Sequence, residues 1–286
     1  MPYPSITATK DKPFKLGGSL VNARLSQLTL DDGGYIEVSA DGKLIIDELV
    51  IKSVTEPTIR VYGVDATPYL DGKHGSDGWQ GRVGDRGTCL TVDVAGGEGA
   101  NGGTAGNAGC GRVGQSGLNG ADAPTVIIDI KAITNTNSID ISVESRGGSG
   151  ANGSKGGAGG TGGAGGNGGI VQPCGTQHCN SGLGGNGGNG GNGANGGAGG
   201  NGGNGGDVTV YVPKSNTGKV SAELKVSNLG LGGRGGLAGQ GGAGGIDGGG
   251  DGLGLGSTPG MPGKTVGTNG NDGTSGAVGK INITEV

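Results

Sequence analysis

Cys174, His178 and Cys179 fall within the segment QPCGTQHCN, the closest grouping of sulfur and imidazole groups in the chain. Cysteine and histidine are zinc ligands, but there is no CxxC spacing and no second local cluster to complete four ligands. The two cysteines instead read as a disulfide that staples a short reversal, of the kind that folds with little hydrophobic core rely on. Cys89 and Cys110 are the remaining pair and a candidate second bridge. His74 and His178 are far apart in sequence, and no Ser-His-Asp or Cys-His-carboxylate pattern accompanies either, so no nucleophilic site can be assembled and the chain reads as non-enzymatic. Gly263-Lys264-Thr265 lacks the first glycine of a P-loop, because position 258 is Thr258. Asp247 and Asp251 in GGIDGGGDGLG stand where a calcium-binding nonapeptide repeat would place carboxylates. Such sites require stacked copies, and this one occurs once, so it reads as a polar turn. No metal and no cofactor is expected.

These residues must be positioned by a chain in which 78 of 286 residues are glycine. From Gly147 to Gly168 and again from Gly184 to Gly205 glycine holds every third position, and a second register of glycines leaves two of the three faces largely bare. In the second run the remaining face is the row Asn186, Asn189, Asn192, Asn195, Ala198, Asn201, Asn204. A period of three is neither the 3.6 of an α-helix nor the 2 of a strand; it is the period of polyproline II, which makes no hydrogen bonds within itself. Faces without Cβ let neighbouring backbones approach and accept those bonds, so the runs read as packed polyglycine II helices and the asparagine row as a hydrogen-bonded ladder. From Gly72 to Gly87 there is one glycine per triplet, which predicts a peripheral helix with few close neighbours. Trp79 on that helix is a candidate aromatic contact for a sugar or partner, or a packing residue.

Short apolar segments alternate with the runs. Those before residue 66, including Tyr35 to Val38 and Thr58 to Tyr62, predict a small N-terminal β domain (1–66) that caps the array or docks on a partner. Val126 to Ile130 is expected to form a hairpin with Ile139 to Glu144, and Val208 to Val212 a second one with Val220 to Val226, while Lys280 to Thr284 ends the chain as a lone strand. The spacing from Ile46 to Val126 to Val208 to Ile281 is an internal repeat of about 73 to 82 residues. The predicted fold class is therefore mainly irregular: an antiparallel bundle of polyglycine II helices (67–286) joined by short β-hairpins, with the small β domain at its start. One Phe, one Trp and 2% aromatic residues exclude a conventional core over most of the length. A net charge of −4 without a basic cluster argues against a nucleic-acid partner, and no apolar run approaches a membrane span. The N-terminus lacks the apolar core and cleavage site of a signal peptide.

The GGNGGNGGNGANGGAGGNGGNGG run, the length-matched outward and return runs and the short diverse turns between them resemble the glycine-rich tip adhesins of T-even-type bacteriophage tail fibres, over about Gly72 to Gly279. The resemblance implies a rod whose tips grip a cell-surface protein or glycan, placed extracellularly or on a particle surface. The β end would then hold a fibre or particle protein. The candidate contact residues at the tips are Thr91 and Asp93 in the first, Gln172, Gln177, His178 and Asn180 in the second, and Asp251 and Thr258 in the third. A structural rod or spacer is the alternative. The looping-back arrangement also resembles the small glycine-rich antifreeze proteins of springtails, which implies a flat, weakly polar ice-binding face; Lys155, Arg234 and the acidic turns count against one.

Overall fold

The computed structural model of the chain describes residues 3–18, 22–85, 106–135, 140–170, 182–214, 220–225, 228–229, 231, 233–246 and 259–286. Alternating apolar residues form strands β1 (Ser5–Ala8), β2 (Phe14–Leu16), β3 (Asn22–Leu30), β4 (Gly34–Val38), β5 (Gly42–Ile51) and β6 (Val54–Tyr62). After the first glycine-rich stretch come β7 (Val126–Ile130), β8 (Ile133–Asn135) and β9 (Ile141–Arg146), then β10 (Asp207–Val212), β11 (Val220–Leu224) and β12 (Lys280–Glu285). They build two sheets with parallel pairing throughout. One has the order β1-β3-β5-β7-β10-β12 with β8 also on β5; the other has the order β11-β9-β6-β4-β2.

Each coil of the chain gives a strand to the first sheet, turns a corner, gives a strand to the second sheet and returns one level on. The turn between β3 and β4 takes its sharpness from Asp32 and Gly33, both at positive φ. Side chains at alternate positions point between the sheets. Leu28, Leu44, Ile46, Ile128, Val208 and Val210 from one side meet Leu16, Ile36, Ile59, Ile141 and Val143 from the other, all fully or almost fully buried. Burying each of these is worth roughly 1.5–3 kcal/mol. On the outer face of the second sheet Glu144 is also buried, held by Lys225 at 2.8 Å. Burial and then the Glu144 charge push the neighbouring Tyr62 hydroxyl up to about 12.

The first two coils advance 22 and 21 residues, from Ser5 to Gln27 and from Asn22 to Lys43. The later ones advance 84, 82 and 73 residues, because after β6, β9 and β11 the chain leaves the sheets and comes back before β7, β10 and β12. The excursions form an arm of six glycine-rich segments: outgoing 63–85, 147–170 and 228–246, returning 106–125, 182–206 and 259–279. The second sheet continues directly into the outgoing layer, where the β6–β9 pairing passes into Gly63 N–H to Arg146 O, Ala66 N–H to Ser149 O and Gly72 N–H to Lys155 O. The first sheet continues into the return layer through bonds such as Ala123 N–H to Asn204 O and Gly205 N–H to Ala277 O. Between layers the segments are antiparallel, as in Gly185 to Gly166, Gly188 to Gly163 and Gly191 to Gly160.

This architecture corrects the expected fold class. The chain is not a mainly irregular bundle with hairpins and a small N-terminal β domain; β1 to β6 belong to the same two parallel sheets as β7 to β12. The expected hairpin partners β7 and β9 lie in different sheets, as do β10 and β11, and β12 is not alone but pairs with β10. The physical reason is that a half-buried strand alternates in the same way whether its partner is antiparallel or parallel, so alternation identifies the strand and not its neighbour. The repeat carries the neighbour for its last three members: Val126, Val208 and Ile281 are direct parallel partners, whereas Ile46, its first, pairs with Ile130, and Val126 with Gly42.

Most backbone donors in the centre of the arm are paired. In one triplet, the Gly188 N–H donates to Gly163 O, the Asn189 N–H to Asn107 Oδ1 and the Gly190 N–H to Met261 O, each at 2.8 Å. The middle bond belongs to a ladder in which outward side chains accept N–H groups from the adjacent segment. Asp71 accepts from Lys155, His74 Nδ1 from Ala158, Asp77 from Thr161 and Asn201 from Thr274. Two predictions follow from this lattice. A methyl at Gly191 would overlap the carbonyl oxygen of Gly109, a backbone atom with nowhere to go. Gly191→Ala is therefore expected to lower stability in denaturant titration by about 3 kcal/mol, whereas Ala198→Ser, on the outward row, leaves it within about 0.5 kcal/mol. Asn192 Oδ1 accepts from both Lys264 and Thr265, at 2.7 and 3.2 Å. Asn192→Ala is expected to speed amide exchange at these two residues and cost about 1 kcal/mol; unchanged exchange at both would refute the ladder's role.

Candidate functional site

Because two of every three positions in the inner segments are consumed by backbone contact, side chains can present chemistry only on the outward rows, the lateral edges and the connecting turns. The outward face of the outgoing layer is a grid set by the ladder and the period-three bonds. Asp71, Lys155 and Arg234 share one row across its three segments, since Lys155 N–H donates to Asp71 and Gly156 N–H to the Arg234 carbonyl. The row on the sheet side is Pro68, Asn152 and Leu231, and the row on the other side is His74, Ala158 and Leu237. A groove of about 340 Å³ runs between the first two rows, with Tyr69 on its wall.

The return layer has the opposite character. Its outward rows carry Asn107, Val113, Ser116 and Asn119, then Asn189 to Asn204, then Thr265, Thr268, Asn271 and Thr274. Asp122 and Lys264 are the charged residues on them. A second groove of about 340 Å³ lies there, lined by Asn107, Cys110, Asn192, Met261 and Lys264 among others. Lys155 and Arg234, which counted against a flat uncharged face, are thus confined to the other side of the arm.

The expected tip contacts Thr91, Asp93, Gln172, Gln177, His178, Asn180, Asp251 and Thr258 lie outside the described residues, as do Cys89, Cys174 and Cys179. The described ends of the segments that lead into these turns are adjacent: Gly84 bonds to Asn167, Gly168 to Ile246 and Gly182 to Gly169. Cys110 is exposed and carries a free thiol. Trp79 is 69% exposed, and its indole lies over Gly106 at the lateral edge of the arm, where a methyl on Gly106 would meet it. His74 serves the ladder through Nδ1. Among the described residues no group of three or more His, Cys, Asp or Glu side chains comes together as a metal site.

The groove residues Tyr69, Asp71 and Asn152 were not singled out by sequence reasoning. The available signal was the coil length. Offsets of 84 and 79 residues between neighbouring outgoing segments place Asp71 beside Lys155 and Asn152 beside Leu231, and the repeat could have been read across as well as along the chain.

No protein-family model matches the chain, and no curated protein does. Among solved structures, the chain is similar to the nine polyproline type II helical bundle springtail antifreeze protein from Granisotoma rainieri, at 30% identity over 57% of this chain and 92% of that one. The TM-score is 0.12.

Proposed function

We propose that the protein is a non-enzymatic recognition module that presents its three connecting turns at the far end of a rigid arm, for contact with a cell-surface protein or glycan. The observation that carries this reading is the convergence of the segment ends. Residues 84, 168 and 182 are tied to neighbouring segments by hydrogen bonds of 2.8–2.9 Å, so the three turns start from one fixed platform remote from the sheets. Holding loops on a rigid scaffold limits the entropy lost on binding. The test is binding of the labelled chain to a panel of intact bacterial and animal cells, beside a variant whose 171–181 turn is replaced by glycine and serine. Selective binding is expected, with at least a tenfold loss in a variant that keeps its circular dichroism spectrum. Equal binding by both proteins, or by neither, sinks the proposal and favours a rod with a purely structural role.

One observation favours a second reading, ice binding through the return layer. Its outward rows carry mostly Asn, Thr, Ser, Ala and Val, with Cys110 and Met261 among them and charge at Asp122 and Lys264, and the ladder fixes their spacing. On this reading the chain shapes growing ice crystals, and Thr268→Lys with Thr274→Lys abolishes shaping while the 171–181 replacement retains it. Unshaped crystals in the presence of the unaltered chain would dismiss it.

A further inference from the structure

The groove on the outgoing face combines groups that the ladder does not use up. Arg234 is exposed, and no carboxylate pairs with its guanidinium among the described residues. Lys155 lies in the same row, with its ammonium 4.0 Å from Asp71 Oδ2 and its side chain 65% exposed. Two cations therefore face one carboxylate, an excess of positive charge on a chain whose net charge is −4. Asp71 and Asn152 each commit Oδ1 to a backbone N–H, from Lys155 and Leu231 respectively, which fixes both side chains. That leaves the Asn152 amide donors and the second Asp71 oxygen directed to other partners. Tyr69, 44% exposed, supplies a flat apolar surface with a hydroxyl at its edge, and Leu231, 55% exposed, adds further apolar lining.

We infer that this groove binds an acidic saccharide. A sugar ring has an apolar face that stacks on an aromatic, and hydroxyls that both donate and accept, which the Tyr69 ring, the Asn152 amide and the Asp71 carboxylate meet. A carboxylate or sulfate on the sugar is met by Arg234, whose planar guanidinium can hold it through two parallel bonds, with Lys155 as a second cation. The volume of about 340 Å³ suits a mono- or disaccharide unit more than a polymer segment. The site lies on the flank of the arm and stands independently of whether the turns bind anything.

The test uses the full chain and isothermal titration with 3′-sialyllactose as the carboxylated probe, a heparin disaccharide as the sulfated one and lactose as the neutral control. At least one acidic probe is expected to bind saturably and at least tenfold more tightly than lactose, and which one does so identifies the anionic group. Arg234→Gln, an exposed substitution at an outward position, is expected to weaken that binding at least tenfold with an unchanged melting temperature, and Tyr69→Ala to weaken it while sparing its salt dependence. Lactose binding as well as the acidic probes, no saturable binding by any of them, or full affinity in Arg234→Gln would each overturn the assignment.

Discussion

The arm depends on backbones that touch. At its centre the space that a Cβ would fill at Gly160, Gly163, Gly188 or Gly191 is occupied by a carbonyl group of a neighbouring segment. In the sheets the two layers are separated by a full thickness of Leu, Ile and Val side chains, on the order of 10 Å. In the arm the same two layers continue with almost no side chains between them, the small buried Ala151, Ser154 and Ala194 being the exceptions. Glycine therefore does for the arm what the apolar core does for the sheets, and the change from one to the other falls where β6, β7, β9 and β10 give way to triplets. Ordering a residue costs about 1–2 kcal/mol and a hydrogen bond returns about 0.5–1.5 kcal/mol net, so such a lattice holds only where nearly every donor is paired and where another element fixes the register. The sheets fix it: each excursion starts and ends on strands already aligned in parallel.

The same constraint explains how the lattice stops. An inner segment needs two bare faces, and the first outgoing and last return segments have one glycine per triplet. At one lateral edge Trp79 covers Gly106 where a further return segment would lie, and at the other Asn269 accepts the Gly235 N–H that a further outgoing segment would have taken. Side chains take the place of the missing neighbours, so the array is capped by composition at both sides.

Period three, the peripheral place of the segment after Gly72 and the asparagine ladder could be read from glycine spacing, because backbone contact leaves a direct trace in the sequence: it admits glycine and, at a few positions such as Ala151, Ser154 and Ala194, only a small residue. The pairing of strands left no such trace. Val126-Ile127-Ile128-Asp129-Ile130 buries Val126, Ile128 and Ile130 in a parallel sheet with the same alternation a hairpin would show. The candidate groove was hidden for another reason. Tyr69, Asn152 and Leu231 are brought together by coil lengths that differ from 84 to 79 residues, so no single repeat period superimposes them.

The two faces of the arm diverge because the ladder asks only for an acceptor, and several side chains qualify. On the return layer the acceptors from the central segment are asparagines, which add no charge however many are stacked. On the first outgoing segment they are Asp65, Asp71 and Asp77, with His74 among them. Six residues of extended chain separate successive aspartates, on the order of 18 Å, well beyond a Debye length of about 8 Å at physiological salt, so they do not repel one another strongly. Each is instead a local negative charge that a neighbour in its own row can answer, as Lys155 answers Asp71. Arg234 extends that row by one more cation than the ladder can use. A lattice that dictates two positions of every three leaves the third free to vary in chemistry, and on the outgoing face that third position is where uncompensated charge and apolar surface come together.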